Sequence, residues 1–248
     1  MTTIEEIAKS RPHLREALGL FKKMETFERL VQDMEFLEAG ATSYRPESVD
    51  AVFESFISAF DIPGDFLSPL REAMKLGRID FTRLPMNETP AFSLPFHEDE
   101  LQTILFMIGK PFFLSLRNSL KVDPAFWPEG RCPVCNALPS LAFIRQDGGR
   151  SLFCSYCGFS GPWHRIGCPN CQNRGPRGLD INEIEEEKGF RIDFCNECRS
   201  YIKTVNAKLL EEYSPELIDI VSLPLDIVAQ GKGYRRHSPN PIGIMTIS

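Results

Sequence analysis

The chain is 248 residues long, with 42% hydrophobic and 25% charged residues and a formal net charge of −6. That composition excludes a disordered polar chain, and the length supports a cored domain in addition to any small metal-binding unit. No stretch approaches 18 uninterrupted apolar residues; the nearest, ILFMIGKPFFLSL, holds Lys110 and Pro111, and no secretory leader pattern opens the chain, so we expect no membrane insertion and a cytoplasmic location.

In the first half, apolar residues recur at helical spacing. SVDAVFESFISAFDI sets Val49, Val52, Phe53, Phe56, Ile57 and Phe60 on one face, and DELQTILFMIGK does the same with Leu101, Ile104, Leu105 and Ile108. Burying one such Phe is worth roughly 1.5–3 kcal/mol, so the stripes read as core. Thr3 and Glu6 form a capping box, and Pro12 and Pro46 stand where helices can start. Pro85, Pro90 and Pro95 predict an extended crossing between helical pieces, and DPAFWPEG (123–130) a linker out of this domain.

All eight cysteines then fall in four C-x-x-C pairs: Cys132/Cys135, Cys154/Cys157, Cys168/Cys171 and Cys195/Cys198. A disulfide framework needs a secretory context, and a thioredoxin-type dithiol needs only one pair. Four thiolates satisfy one tetrahedral Zn²⁺ or Fe ion, so the eight predict two ions per chain. The flanking residues choose the partners. The first and third pairs read CPVC and CPNC, the second and fourth RSLFCSYC and RIDFCNEC, an internal repeat. Within each half lies a hairpin: LAFIRQDGGRSLF carries a D-G-G turn, and LDINEIEEEKGFRIDF turns near Lys188 and Gly189 before Phe190, Ile192 and Phe194 alternate onto one face. Hairpins bring their ends together. Cys132 and Cys135 therefore meet Cys154 and Cys157 across 18 residues, and Cys168 and Cys171 meet Cys195 and Cys198 across 23.

A tight C-x-x-C loop turns backbone N–H groups toward sulfur and stabilises thiolates. Pro133 and Pro169 preset such turns. After the first two pairs, Asn136 tolerates positive φ and Gly158 takes it freely; Gln172 and Arg199 are less suited, which predicts a less regular second unit. Trp163, Phe153 and Phe194 read as packing around the sites, and His164 as a structural or surface residue, since the cysteines already fill both.

Beyond the cysteines, SPELIDIVSLPLDIVAQGKGY offers Ser214 as a cap, Pro215 as a helix start, Pro224 as a kink or a second start, and Gly231 and Gly233 as stops. YRRHSPNPIGIMTIS has no periodicity and reads as a surface tail. The fold class is thus α+β multidomain: a helical domain over 1–128, two tandem rubredoxin-like or zinc-ribbon-like β units over 129–165 and 166–212, and a short C-terminal helix and tail over 213–248.

Charge argues against nucleic acid as a partner. Residues 129–203 carry ten Lys/Arg and nine Asp/Glu, formally +1. Each dication held by four thiolates adds about −2. Arg131, Arg150, Arg165, Arg191 and Arg199 read as partial compensation for the metal sites, and no segment offers a net cationic surface for phosphates. No P-loop, G-x-S-x-G or H-E-x-x-H motif is present, and the carboxylates of INEIEEEKG read as a solvated turn. The sequence thus reads as no enzyme. A maturation factor for a metalloenzyme, a zinc-ribbon nucleic-acid binder and a rubredoxin-like electron-transfer protein stay open as classes, as does the oligomeric state.

Four features together resemble the formate dehydrogenase accessory protein family, FdhE. They are the four C-x-x-C pairs in this order, WHRIGCPNC (Trp163 to Cys171), CNECRSYIK (Cys195 to Lys203) and GYRRHSPNP (Gly233 to Pro241). The resemblance spans residues 131 to about 241. It implies a cytoplasmic, non-enzymatic, chaperone-like factor that acts on the catalytic subunit of a respiratory formate dehydrogenase before or during export. It also implies iron in rubredoxin-like sites, although the ligand set permits zinc equally, with the eight cysteines as ligands. The tail around Tyr234, Arg236, Asn240 and Pro241 becomes a candidate contact surface.

Overall fold

The computed structural model describes residues 3–35, 40–86, 88, 94–120, 127–183 and 188–247. Five α-helices come first: α1 (Ile4–Ser10), α2 (Arg15–Val31), α3 (Pro46–Phe60), α4 (Ser68–Lys75) and α5 (Glu98–Ser119). Their starts follow local chemistry. Thr3 Oγ1 accepts from the Glu6 amide at 3.2 Å while Glu6 Oε2 accepts from the Thr3 amide at 2.8 Å, a reciprocal capping box. Pro46 opens α3, where its missing N–H costs nothing, and Asp61 ends the helix in a left-handed turn at φ 56°. Val49, Val52, Phe53, Phe56 and Phe60 are buried, with Ile57 half-buried at the margin, and Phe27 of α2 meets Phe56 edge to face at 5.1 Å.

Helix α5 continues through Pro111 to Ser119, further than DELQTILFMIGK alone suggests. A proline inside a helix removes one N–H and pushes neighbouring backbone groups out of register. Here the buried Tyr44 hydroxyl fills the gap: it donates to the Ile108 carbonyl at 2.6 Å and accepts from the Phe112 amide at 3.0 Å. The expected extended crossing is different in form. Pro85 sits inside a 3-10 turn (Phe81–Met86) and Pro95 in a bend, while Pro90 lies outside the described residues.

The second half builds one six-stranded sheet from β1 (Leu141–Ile144), β2 (Arg150–Phe153), β3 (Ser160–Trp163), β4 (Leu179–Glu183), β5 (Phe190–Cys195) and β6 (Ser200–Asn206), in the order β3-β2-β1-β6-β5-β4. Each sequence repeat is a three-stranded antiparallel meander: the anticipated hairpin plus a third strand leaving the second C-x-x-C pair. The two meanders lie side by side, joined by parallel pairing of β1 with β6. The carboxylate-rich tip of the second hairpin, residues 184–187, lies outside the described residues.

Two short helices follow, α6 (Pro215–Val221) and α7 (Leu223–Gly231). Ser214 caps the first through the Leu217 amide at 3.1 Å, and Pro224 starts the second rather than kinking the first. The last residues are not a surface tail. Arg236, Ser238, Asn240 and Ile242 are buried at 8%, 1%, 1% and 2% exposure, because the segment threads between the sheet, α6, α7 and α5. Arg236 meets both Asp219 and Asp226, and Lys203 of β6 reaches the same two carboxylates at 2.5 and 2.6 Å. Burial makes Arg236, Asn240 and Pro241 core residues, which removes them from the expected contact surface; Tyr234 remains half-buried. Core packing is continuous from the helices through the sheet to this strap.

Candidate metal centres

All four C-x-x-C loops share one backbone turn. The amides of Cys132, Cys154 and Cys168 donate to the carbonyls of Ala137, Phe159 and Asn173, five residues on, at 2.8, 3.0 and 2.9 Å. In the fourth loop Cys195 pairs with Ser200 across the β5–β6 ladder, the same five-residue offset. The residue after each second cysteine takes the left-handed conformation: Asn136 at φ 62°, Gly158 at 68°, Gln172 at 61° and Arg199 at 54°. The second unit is therefore as regular as the first. The geometry of the C-x-x-C turn overrides the ordinary reluctance of Gln and Arg to enter that region.

These turns bring the cysteines together in the expected pairs of pairs. Cys132, Cys135, Cys154 and Cys157 form one cluster and Cys168, Cys171, Cys195 and Cys198 the other, with all sulfurs of a cluster within 4.8 Å of one another. Cys132 and Cys157 Sγ atoms lie 3.5 Å apart, Cys135 and Cys154 3.4 Å, Cys168 and Cys198 3.6 Å, and Cys171 and Cys195 3.6 Å. A tetrahedron with metal–sulfur bonds of about 2.3 Å has edges near 3.8 Å, so each cluster fits one ion with little adjustment. All eight are free thiols. His164 lies in neither cluster and pairs with Arg174 at 2.6 Å.

The first cluster sits beneath the helical half. Between its second pair of cysteines, the Ser155 carbonyl accepts from the buried Lys110 ammonium, and the Tyr156 ring inserts between Phe106 and Phe113 at 4.9 and 5.0 Å. The Tyr156 hydroxyl donates to the Leu84 carbonyl at 3.2 Å. Burial pushes the Cys135 and Cys154 thiols well above their usual range. Hydrogen bonds from the neighbouring thiols, Cys132 first, hold Cys157 far below it. A dication among four sulfurs reverses the cost of the buried thiolates, which is what a site of this composition is suited to.

The second cluster is more open, with Cys171 exposed and Cys198 half-buried. Burial raises Cys198, but hydrogen bonds from Ser200 and Asn170 and from the neighbouring thiols outweigh it and bring it to about 7. Two features of this centre have a role that the sequence did not show: one arginine read as charge compensation, and one glycine of the linker. Arg150 of β2, wholly buried, donates to the Gly167 carbonyl beside Cys168 at 2.9 Å and pairs with Asp193, two residues before Cys195, at 3.2 Å. Arg191, its counterpart in the sequence repeat, meets the same carboxylate at 2.9 Å. Both arginines thus hold the sheet and the loop roots together through Asp193. The second is Gly130 in the linker, at φ 71°: any Cβ there would stand 2.2 Å from the Pro169 carbonyl oxygen, so glycine alone lets the linker close on the CPNC turn.

A helical body packed on two fused C-x-x-C meanders, each closing a tetracysteine cluster, defines a class of proteins with two four-cysteine clusters suited to metal. Residues 166–242 match the family model described as FdhE, C-terminal domain, a span that contains the second cluster and the buried strap. A protein named "Protein FdhE homolog" from Aquifex aeolicus is 31% identical over 150 residues, covering 59% of this chain and 53% of that one. Its counterpart from Stutzerimonas stutzeri is 32% identical over 114 residues, covering 44% and 37%. The chain thus spans about half, or less, of the length of these relatives. The crystal structure of the FdhE protein from Pseudomonas aeruginosa has the same fold, with a TM-score of 0.67 and 20% identity over 96% of this chain and 92% of that one. The chain is thus similar to FdhE proteins in sequence over its metal-binding half, and in fold along most of its length.

Proposed function

We propose that the protein is a non-catalytic, chaperone-like accessory factor in the maturation of a respiratory formate dehydrogenase, acting on that enzyme's catalytic subunit in the cytoplasm. The observation that carries this reading is the pair of tetracysteine clusters set in a fold shared with an FdhE protein along almost the whole chain. The formate dehydrogenase connection comes from the family that the cysteine order and flanking motifs resemble. No helix among the described residues is long and apolar enough to cross a membrane, which is compatible with action before export.

In this reading the eight cysteines hold two ions, iron in rubredoxin-like sites or zinc, and the ions fix the meanders in place. Residues 1–128 supply the body to which the units 129–165 and 166–212 are keyed, with 213–248 closing the assembly. Tetrathiolate coordination contributes folding free energy to β units too small to be stable alone. The charge balance disfavours the nucleic-acid reading.

The test is a strain lacking the gene. Formate dehydrogenase activity should be lost there and restored by the full chain, and the tagged chain should recover the catalytic subunit. Full enzyme activity in that strain, or no recovery of the subunit with either metal form, would end the proposal. Zinc-substituted protein that still supports maturation would assign the ions a structural part; loss of maturation with retained binding would favour electron transfer at iron.

A further inference from the structure

The two clusters differ in what surrounds them. In the first, all four cysteines are buried, with Cys154 and Cys157 at 0% exposure. The Lys110 ammonium on the Ser155 carbonyl and the Tyr156 ring between two phenylalanines close its outer side. Among the described residues these α5 contacts cover the loop between Cys154 and Cys157, and the four cysteines keep at most 7% exposure. In the second, Cys168 and Cys195 face inward at 4% and 2%, but Cys171 is exposed and Cys198 half-buried. Exposed cations flank that opening: Arg174 follows Cys171 in the same loop, and Arg199 is next to Cys198, its guanidinium 4.0 Å from the Tyr234 ring. Exposed Glu197, between Cys195 and Cys198, sets one carboxylate against these two cations, and a soft anion arriving here would find the metal that the cysteines would hold.

Building on the reading of both clusters as metal sites, we propose that they have different duties. The first is a locked structural site. The second exchanges ligand or metal with a soft anion, a thiolate, that enters beside Cys171. In the exchange step the incoming thiolate forms a bond to the metal as the Cys171 sulfur–metal bond breaks, and the released Cys171 thiolate takes a proton from water. No electron changes hands. Repeating the step at Cys198 would leave the ion held by the two inward cysteines and the two incoming thiolates, and a third and fourth exchange would carry it off to a thiolate-rich acceptor.

The experiment uses the full chain loaded with Co²⁺, its stoichiometry measured first. The loaded protein is challenged with dimercaptosuccinate while the cobalt–thiolate absorption is followed, and iodoacetamide traps freed cysteines for mapping by peptide mass. Two phases of equal amplitude are expected, the first about tenfold or more faster because access governs thiolate exchange. Cys171 and Cys198 should be labelled in the fast phase, with Cys132, Cys135, Cys154 and Cys157 unlabelled. Cys171→Ser should change the fast phase and leave the slow one as it was. A single phase for both ions, or first labelling at the buried cluster, would overturn the inference. A chain that binds no ion at either cluster would overturn the metal reading and this inference together, and the stoichiometry tells the two failures apart.

Discussion

At the scale of single residues, the most informative positions are those after each second cysteine. Asn136 and Gly158 suit positive φ, and the sequence shows as much; Gln172 and Arg199 enter the same region because the turn requires it. Gln172 is exposed, and its conformation costs about 1–2 kcal/mol relative to glycine. Gln172→Gly should therefore raise the melting temperature of the metal-loaded chain, and Gln172→Val, whose branched Cβ fits that region worst, should lower it. A second residue-scale prediction concerns Arg150, which looked like charge compensation for the metal sites and proves to be a buried brace. Arg150→Met removes its pairing with Asp193, which keeps Arg191 and Thr204, and leaves the Gly167 carbonyl without its tether, so chemical denaturation should show a loss of about 1–3 kcal/mol. Metal analysis should show the second site weakened more than the first. Equal weakening of both would mean that the brace is general rather than local.

At the scale of elements, the cysteine pairing and both hairpins were legible because they rest on local signals, the D-G-G turn and the repeated flanks. The third strand of each meander was not, for physical reasons: Ser200–Asn206 is buried along almost its whole length and so lacks the alternation of a half-exposed strand, while Ser160–Trp163 is only four residues long and holds Gly161 and Pro162, which read as breakers. The β1–β6 pairing was equally hidden, since register between distant strands leaves no mark on either alone. Helix α5 shows the converse case. A proline inside a helical pattern ordinarily ends or kinks the helix, and here a hydroxyl 67 residues upstream, from Tyr44, bridges the interrupted backbone as the helix continues. Tyr44→Phe leaves the Ile108 carbonyl and the Phe112 amide buried without that bridge, and should cost about 1–3 kcal/mol in urea unfolding. Adding Pro111→Ala should recover part of the loss, because the helical ladder can then close by itself; a simple sum of the two effects would show that the hydroxyl and the proline are uncoupled.

At the scale of the whole molecule, the chain behaves less like separate beads than the sequence suggests. GYRRHSPNP carries no periodic signal, yet its Arg236 joins Lys203, Asp219 and Asp226 in a buried network that ties the second meander to α6 and α7. Burial raises Asp226, but the Lys203 and Arg236 charges outweigh it and hold its carboxyl below the ordinary value of 3.8. A depressed folded value means that this contribution is complete above the unfolded range and is lost as the pH falls through the folded one. Stability should therefore drop as the pH goes below about 3.8, and Asp226→Asn, less stable at neutral pH, should show a shallower acid slope. An unchanged slope would place the acid sensitivity elsewhere.

Everything proposed for this molecule depends on two tetrathiolate ions organising one fused sheet. The direct measurement is elemental analysis joined to X-ray absorption on anaerobically purified full-length protein. The expected result is two ions per chain, each with about four sulfur neighbours near 2.3 Å. One ion or fewer per chain, or a shell containing nitrogen or oxygen, would contradict it.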